Sequence, residues 1–169
     1  MFSEEAKMNI GGTQFTLKTN SLEIYVSGCK GPHCKDCHNP ELWNFSIGHD
    51  FEHIKQDIEK KIKRFKTMIK NIMIFGGDLN DQNREEAIAF LDFLLKFKRK
   101  IWLFTRYEIS DIDINILNRC DFIKTGRYLK ELSCEKNERF GINLATSNQR
   151  IFTREEALEW ISAQRLKSI

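Results

Sequence analysis

Short apolar segments alternate with longer amphipathic segments along most of the chain, and this alternation constrains the fold more than any other feature. The apolar segments have the length of buried strands and lie at residues 22–26, 71–75, 101–104 and 121–124. Strands that are separated by helices pair in parallel through right-handed crossovers. The sequence therefore predicts an α/β fold with a mostly parallel sheet.

Helix-start signals follow several of the predicted strands, in the form of Asp, Asn or Thr with an acidic residue nearby. The predicted helices are a long one capped by Asp50 with apolar residues through Ile69, one from Asn83 and Glu86 to about residue 97, a short one over 111–117, and a final one from Thr153 and Glu156 over about 153–165. Two further extended segments are predicted, 8–19 with a Gly-Gly break and 142–145 as a fifth strand.

About five or six predicted strands are too few for a closed eight-stranded (β/α) barrel. We therefore predict an open partial (β/α) barrel, whose broad lateral face has room for a protein-sized substrate. The length of 169 residues fits a single domain over 1–169, and no repeat or low-complexity linker divides it. In such folds ligands bind at the carboxyl edge of the sheet, where residues that follow the strands gather.

Charge and hydropathy exclude several function classes. The net charge of +3 at pH 7 is too small to predict binding to nucleic acid or to a membrane surface. The first ten residues carry acidic side chains and lack the apolar core of a cleavable signal, and no apolar run is long enough to span a bilayer. Free cysteines in a chain of this kind are typical of a reducing compartment, so we expect a cytoplasmic protein.

A dense group of cysteines follows the first buried strand. Cys29, Cys34 and Cys37, three of the five cysteines, fall within nine residues. Thiols at this density converge on one small volume, and an odd number of cysteines leaves one unpaired in any disulfide scheme. Thiolates in this arrangement are the usual ligands of iron–sulfur clusters and of zinc.

The spacing alone leaves an iron–sulfur site, a zinc site and ordinary surface thiols as open interpretations. A structural zinc site needs four protein ligands. The candidates for a fourth ligand are His33, His38, Cys120 and Cys134. Three cysteines on a four-iron cluster would instead leave one iron open to a substrate, which is the arrangement of a catalytic site.

Several other short segments form an ordered set with the cysteines. They are Val-Ser-Gly-Cys at 26–29, Cys-His-Asn at 37–39 with Trp43 behind it, Gly-Gly-Asp at 76–78, Ile-Trp-Leu-Phe-Thr-Arg-Tyr at 101–107 and Ser-Asn-Gln-Arg at 147–150. This ordered set resembles the radical S-adenosylmethionine (SAM) enzymes, and within them the activating proteins of anaerobic ribonucleoside-triphosphate reductases. The resemblance runs from about residue 20 to 150 and implies a partial barrel of radical SAM type.

The chain departs from the family pattern at two positions. The family usually has three residues between the first and second cysteines, whereas this chain has four, residues 30–33. Gly31 and Pro32 favour a turn there, which makes an added residue sterically tolerable. The second departure is Arg106, which replaces the usual Gly of the Thr-x-Tyr segment.

The resemblance implies the cofactors and the residues that hold them. Cys29, Cys34 and Cys37 would bind three irons of a 4Fe-4S cluster, and SAM would chelate the fourth. The implied SAM-binding residues are Asp36 and His38 beside the third cysteine, Gly76, Gly77 and Asp78 after the second strand, and Thr105 after the third. No side chain is assigned a catalytic role, because the radical chemistry belongs to the cofactor.

The residue types suit these roles, and each has an ordinary structural alternative. Two glycines let the backbone approach a ligand closely, and Asp78 can accept a charge-assisted hydrogen bond from the SAM ammonium. The alternatives are a plain strand-to-loop turn at Gly-Gly-Asp, a solvent-exposed loop position for His38 and a structural buried hydroxyl for Thr105.

The function implied by the resemblance is that of an activase. Reductive cleavage of SAM would give methionine and a 5′-deoxyadenosyl radical, which would generate a glycyl radical on an anaerobic ribonucleoside-triphosphate reductase. A flavodoxin or ferredoxin would supply the electron, and neither nucleic acid nor membrane is an expected partner. Two alternatives are a radical SAM enzyme that acts on another glycyl-radical enzyme or a small molecule, and a non-catalytic zinc or iron–sulfur binding module.

Overall fold

The structure of the protein, a computed structural model, describes residues 7–168. Its helices are α1 (Phe51–Phe65), α2 (Arg84–Leu95), α3 (Ile114–Leu117) and α4 (Arg154–Lys167). Its strands are β1 (Asn9–Thr16), β2 (Ser21–Val26), β3 (His49–Asp50), β4 (Asn71–Gly76), β5 (Lys100–Phe104), β6 (Phe122–Thr125), β7 (Glu138–Arg139), β8 (Ile142–Asn143) and β9 (Arg150–Thr153). The predicted domain also includes residues 1–6 and 169, which lie outside the described residues.

Seven of these strands form one open sheet in the order β3-β1-β2-β4-β5-β6-β9. The four central strands, β2, β4, β5 and β6, run parallel to one another. The flanking strands β1, β3 and β9 pair antiparallel. The predicted α/β fold with a mostly parallel sheet is confirmed.

The two faces of the sheet have different neighbours, because alternate residues of a strand point to opposite sides. Ile72 and Ile74 of β4 belong to the main core, together with buried residues of all four helices. Met73 and Phe75 of the same strand face the other side and pack with Trp102 and its aromatic neighbours. The helices therefore cover one face, and the other face carries an aromatic cluster.

Helix α1 begins where its cap predicts and ends earlier than its apolar pattern suggests. The Asp50 carboxylate accepts a hydrogen bond from the His53 N–H at 3.1 Å. The helix stops at Phe65, because Lys66 takes a positive φ of 37° that breaks the helical backbone. Ile69 is buried as expected but lies beyond the helix. None of the helices within residues 7–168 is long and apolar enough to cross a membrane.

The two predicted capping boxes differ. Thr153 and Glu156 form both reciprocal hydrogen bonds at the start of α4, which runs to Lys167. Asn83 accepts from the Glu86 N–H at 3.1 Å, but the Glu86 carboxylate bonds the Met8 N–H instead of completing the box. Helix α2 stops at Leu95, two residues before its approximate predicted end, and α3 starts at Ile114 instead of at residue 111 but ends at Leu117 as predicted.

The predicted fifth strand at 142–145 is wrong in its place and length. Only Ile142–Asn143 is extended, and it pairs with β7 in a separate two-stranded sheet. The strand that extends the main sheet beyond β6 is β9, which the sequence did not predict. The irregular segment between β6 and β9 thus carries a hairpin, whose Phe140 packs beside Trp102 and Phe122.

Candidate functional site

The carboxyl ends of the central strands meet at one edge of the sheet, where a cavity of about 250 Å³ opens. Cys29 follows β2, Gly76 and Gly77 follow the apolar part of β4, and Thr105 follows β5. The other lining residues include Cys34, Cys37, His38, Asn39, Trp43, Phe75, Phe104, Arg106, Lys124, Tyr128 and Gln149. The structure thus brings together groups that are up to about 120 residues apart in the chain.

The three clustered cysteines all line this cavity, and each is a free thiol. The Cys29 N–H donates to the Trp43 carbonyl at 3.1 Å, which holds this cysteine under the turn at Pro40–Trp43. Burial raises the pKa of the Cys29 thiol, and a backbone hydrogen bond from Gly31 and the Arg106 guanidinium oppose that shift.

The donor set fits an iron–sulfur cluster better than a single metal ion. Within residues 7–168, no three Cys, His, Asp or Glu side chains lie close enough together to hold one ion. Three soft thiolates around a shared space are the ligands that iron–sulfur clusters use. Cys29, Cys34 and Cys37 would hold such a cluster at the mouth of the sheet.

The four candidates for a fourth protein ligand differ from the three clustered cysteines, because they do not all line the cavity. Cys120 is fully buried at the end of α3 and donates to the Ile116 carbonyl. The His33 ring stacks on Trp43 at 4.1 Å, with Nε2 2.8 Å from the Cys29 carbonyl oxygen. Among the four candidates, in the part of the chain that the structure describes, only His38 lines the cavity.

Gly76 and Gly77 line the cavity, and the structure shows why neither position accepts a side chain. A Cβ on Gly76 would lie 2.2 Å from the Val26 carbonyl oxygen, and one on Gly77 would lie 2.1 Å from the Gly28 carbonyl oxygen. The Gly77 N–H donates to Val26 at 2.7 Å, so the end of β4 is clamped onto the backbone that leads into Cys29. Close backbone packing therefore requires both glycines.

Asp78 is placed behind the cavity wall. Its side chain is buried and does not line the cavity. One carboxylate oxygen accepts the Asn80 N–H at 3.1 Å, and the other accepts the Arg106 N–H at 3.0 Å. The hydroxyl of Thr105, a residue that lines the cavity, donates to the same carboxylate. Burial raises the pKa of Asp78, and the hydrogen bonds from Arg106, Thr105 and Asn80 oppose it.

Asp36 and His38 lie on different sides of the cysteine loop. His38 lines the cavity, with its ring 5.1 Å from that of Tyr128. Asp36 borders a second cavity of about 530 Å³, on the side of residues 127–131, and its carboxylate is 3.9 Å from the Lys130 ammonium. The SAM-binding roles of all six predicted residues stay predictions, namely those of Asp36, His38, Gly76, Gly77, Asp78 and Thr105.

Lys124 and Gln149 are cavity residues to which no SAM-binding role was given. Lys124 is half-buried, and its ammonium donates to the Gly126 carbonyl at 2.8 Å. Burial lowers the pKa of Lys124 to about 8. Gln149 is buried and reaches the same carbonyl at 3.4 Å, so part of the Ser-Asn-Gln segment holds the loop after β6. The signal that could have identified Lys124 is its position two residues after Phe122 in a predicted strand, which places both side chains on the same face of the sheet.

A family model and a known protein are similar to the chain in sequence, and one solved structure aligns with part of it. A family model described as a 4Fe-4S single cluster domain matches residues 19–152. The anaerobic ribonucleoside-triphosphate reductase-activating protein of Haemophilus influenzae is 30% identical over 118 residues, which cover 64% of this chain and 74% of that protein. The crystal structure of QueE from Escherichia coli aligns with a TM-score of 0.47 and 16% identity, over 70% of this chain and 71% of that one.

The family match spans most of the chain and includes the cysteine loop, the Gly-Gly-Asp segment and the strands between them. The relative covers the same region at a level of identity that indicates common descent. The resemblance predicted from the motifs is confirmed. The chain belongs to the 4Fe-4S single cluster domain family and to the family of the Haemophilus influenzae anaerobic ribonucleoside-triphosphate reductase-activating protein.

Proposed function

We propose that this chain is an iron–sulfur and SAM-dependent activase that generates a glycyl radical on an anaerobic ribonucleoside-triphosphate reductase. The observation that carries the proposal is the convergence of Cys29, Cys34 and Cys37 on one cavity at the carboxyl edge of the sheet. The Haemophilus influenzae relative is named for activating that reductase, which supports the choice of target.

The protein's own contribution is to bind, orient and exclude water. Cys29, Cys34 and Cys37 would hold three irons, and the walls that Gly77 and Thr105 form would hold SAM against the fourth. When bound, the reduced cluster would supply the one electron that cleaves a sulfonium C–S bond of SAM to give methionine and a 5′-deoxyadenosyl radical, which would take a hydrogen atom from the target glycine and leave as 5′-deoxyadenosine.

The target's glycine segment has a candidate docking surface on the helix-free face of the sheet. Phe75 and Phe104 line the cavity, with ring centroids 4.2 Å apart. Trp102 and Phe122 continue the aromatic cluster away from the cavity, stacked at 4.1 Å, and Phe140 of the hairpin ends it with 47% of its surface exposed. A continuous aromatic path from solvent to the cysteines suits a protein substrate better than a small one.

An electron donor such as flavodoxin or ferredoxin would reach the cluster from the cysteine-loop side. Cys34 and Cys37 are only half-buried, which leaves the cluster close to the surface. All five cysteines lie in the described part of the chain as free thiols, a condition that a reducing compartment maintains. These thiols support our proposal that the protein is cytoplasmic.

Anaerobic reconstitution with iron and sulfide, followed by addition of SAM, a reductant and the reductase, tests the proposal. We expect about four irons per chain, release of 5′-deoxyadenosine and a glycyl-radical signal on the reductase in electron paramagnetic resonance. The Cys34→Ala variant should lose all three. Cys134→Ala is the matched control, because Cys134 is also half-buried but does not line the cavity.

The alternative functions predict different results in the same experiment. Tightly held zinc without SAM cleavage would identify a non-catalytic binding module. SAM cleavage without a radical on the reductase would leave the chemistry intact and refute the target. Unchanged iron content in Cys34→Ala would show that the ligands are assigned wrongly.

A further inference from the structure

The two positions at which the chain departs from the radical SAM pattern touch each other. The added residue lies in segment 30–33 of the cysteine loop, and Arg106 stands in place of a glycine after β5. The Arg106 guanidinium donates from Nη2 to the Gly31 carbonyl at 3.2 Å. This bond joins the loop between the first two cysteines to the end of a strand 75 residues further along the chain.

A buried ion pair fixes the position of that guanidinium. Arg106 Nη2 lies 3.0 Å from the Asp81 carboxylate, and the two side chains are 11% and 1% exposed. Asp81 also accepts the Lys30 N–H at 2.9 Å. Asp81 and Arg106 thus bind the backbone of the loop at two adjacent residues. The Asp81 carboxylate accepts the N–H of the first, and the Arg106 guanidinium donates to the carbonyl of the second.

The other end of the loop segment is bound by its own side chain. The His33 ring lies parallel to Trp43 at 4.1 Å, and its Nε2 is 2.8 Å from the carbonyl oxygen of Cys29. The added stretch therefore has contacts at Lys30, Gly31 and His33, which fix the spacing between Cys29 and Cys34. A loop of that length without these contacts would sample many conformations and would present Cys34 imprecisely.

We propose that Arg106 is a positioning residue that holds the enlarged cysteine loop in its cluster-binding shape and so compensates for the extra residue. The ion pair with Asp81 is buried, so the guanidinium cannot leave without depriving the buried Asp81 carboxylate of its counter-charge. The inference rests on the proposed role of the three cysteines in holding the cluster. The loop contacts themselves are present without the cluster, and they allow a separate test.

A double-mutant cycle on the full-length chain tests this coupling. The variants are Arg106→Gly, a variant that lacks His33, and the combination of both, which restores the usual family pattern. Arg84→Gly is the control, because it removes another arginine–aspartate pair, to Asp113 at 2.6 Å, whose two side chains make no hydrogen bond to the cysteine loop. The measurements are amide hydrogen exchange at Lys30 in the metal-free protein, and iron content and the paramagnetic resonance spectrum after reconstitution.

We expect Arg106→Gly to speed exchange at Lys30 by about tenfold or more, to hold less than half of the wild-type iron and to broaden the cluster signal. The combined variant should recover the iron and a sharp signal, and Arg84→Gly should resemble wild type. If Arg106→Gly fails to fold, the combined variant decides, because the proposal requires it to fold and to bind iron.

Equal exchange at Lys30 in wild type and Arg106→Gly would overturn the proposal. Losses that simply add in the combined variant would also overturn it. If wild type itself binds no cluster, the proposed function fails, and the exchange cycle still shows whether Arg106 and the added residue are coupled.

Discussion

The Thr105 hydroxyl lies 2.9 and 2.8 Å from the two carboxylate oxygens of Asp78, and both side chains are buried. This contact ties the loop after β4 to the end of β5 at the wall of the cavity. Thr105 faces the cavity, whereas Asp78 supports it from behind. The carboxylate of the Gly-Gly-Asp segment therefore sets the position of the Thr105 side chain, which belongs to a cavity-lining residue.

The Asp78→Asn variant should lower both stability and SAM affinity. The two carboxylate oxygens of Asp78 accept separate backbone N–H groups, those of Asn80 and Arg106. An asparagine has one oxygen, so its amide in either orientation leaves one of these N–H groups without an acceptor. We expect a loss of about 1–3 kcal/mol in the free energy of unfolding and a higher KM for SAM. Chemical denaturation and 5′-deoxyadenosine release measure these effects. The control is Asp92→Asn, at an exposed pair with Arg119; equal behaviour of the two variants would refute the supporting role.

The Gly77→Ala variant should damage the cysteine loop, because its Cβ would lie 2.1 Å from the Gly28 carbonyl oxygen. We expect a stability loss of about 1–3 kcal/mol and reduced iron binding. The matched control is Gly12→Ala in β1, where a Cβ would meet no atom within 4 Å and the change should stay within about 0.5 kcal/mol. Thermal unfolding and iron analysis compare them, and a Gly77→Ala protein with full iron content would contradict the packing argument.

The ion pair between Arg139 and Glu156 should stabilise the fold only above acidic pH. Arg139 bonds both carboxylate oxygens and lowers the pKa of Glu156 below 4.5, with help from the Thr153 N–H. A carboxyl with a depressed folded-state pKa contributes stability above its unfolded pKa, and this contribution is lost as pH falls through the folded pKa.

Glu156→Gln should therefore cost about 0.3–1 kcal/mol at pH 7, a small value because both side chains are about 40% exposed. The difference between variant and wild type should shrink to zero as the pH falls through the lowered folded-state pKa of Glu156. Denaturant unfolding at several pH values measures it. A difference that persists in strong acid would mean that the charge of Glu156 is not its cause.

The Phe140→Ser variant should weaken docking of the protein substrate without affecting SAM chemistry. Phe140 is 47% exposed at the outer end of the aromatic cluster, away from the cysteines. We expect the KM for the reductase to rise about tenfold, whereas 5′-deoxyadenosine release without the reductase stays at the wild-type rate. Leu166→Ser is the control, at an exposed position on α4 outside this cluster. Equal KM values for the two variants would remove this face from the docking surface.

The sequence predicted the elements whose signals are local. The central strands are apolar runs of the correct length, and Asp50 and Thr153 cap their helices as their side-chain chemistry predicts. Strand β9 was missed, because its four residues gain their extended form from pairing with β6, a contact that local periodicity does not encode.

The site shows the same division between local and tertiary signals. The place of the cysteine loop at the carboxyl edge of the sheet followed from its position directly after a predicted strand. The direction of the Asp78 side chain depends on the backbone conformation of the two preceding glycines. Because glycine adopts many conformations, the sequence Gly-Gly-Asp is compatible with a carboxylate that faces a ligand and with one that faces Thr105. The link between Arg106 and Gly31 joins two departures that look unrelated in the sequence, because it forms only when the ends of β2 and β5 come together.

The central claim is that three cysteines hold a four-iron cluster with one iron left for SAM. Mössbauer spectroscopy of protein reconstituted with ⁵⁷Fe, recorded before and after addition of SAM, tests it most directly. The account predicts that one iron site in four changes its isomer shift when SAM binds, as expected for an iron without a cysteine ligand. Four iron sites that stay unchanged on addition of SAM would contradict it.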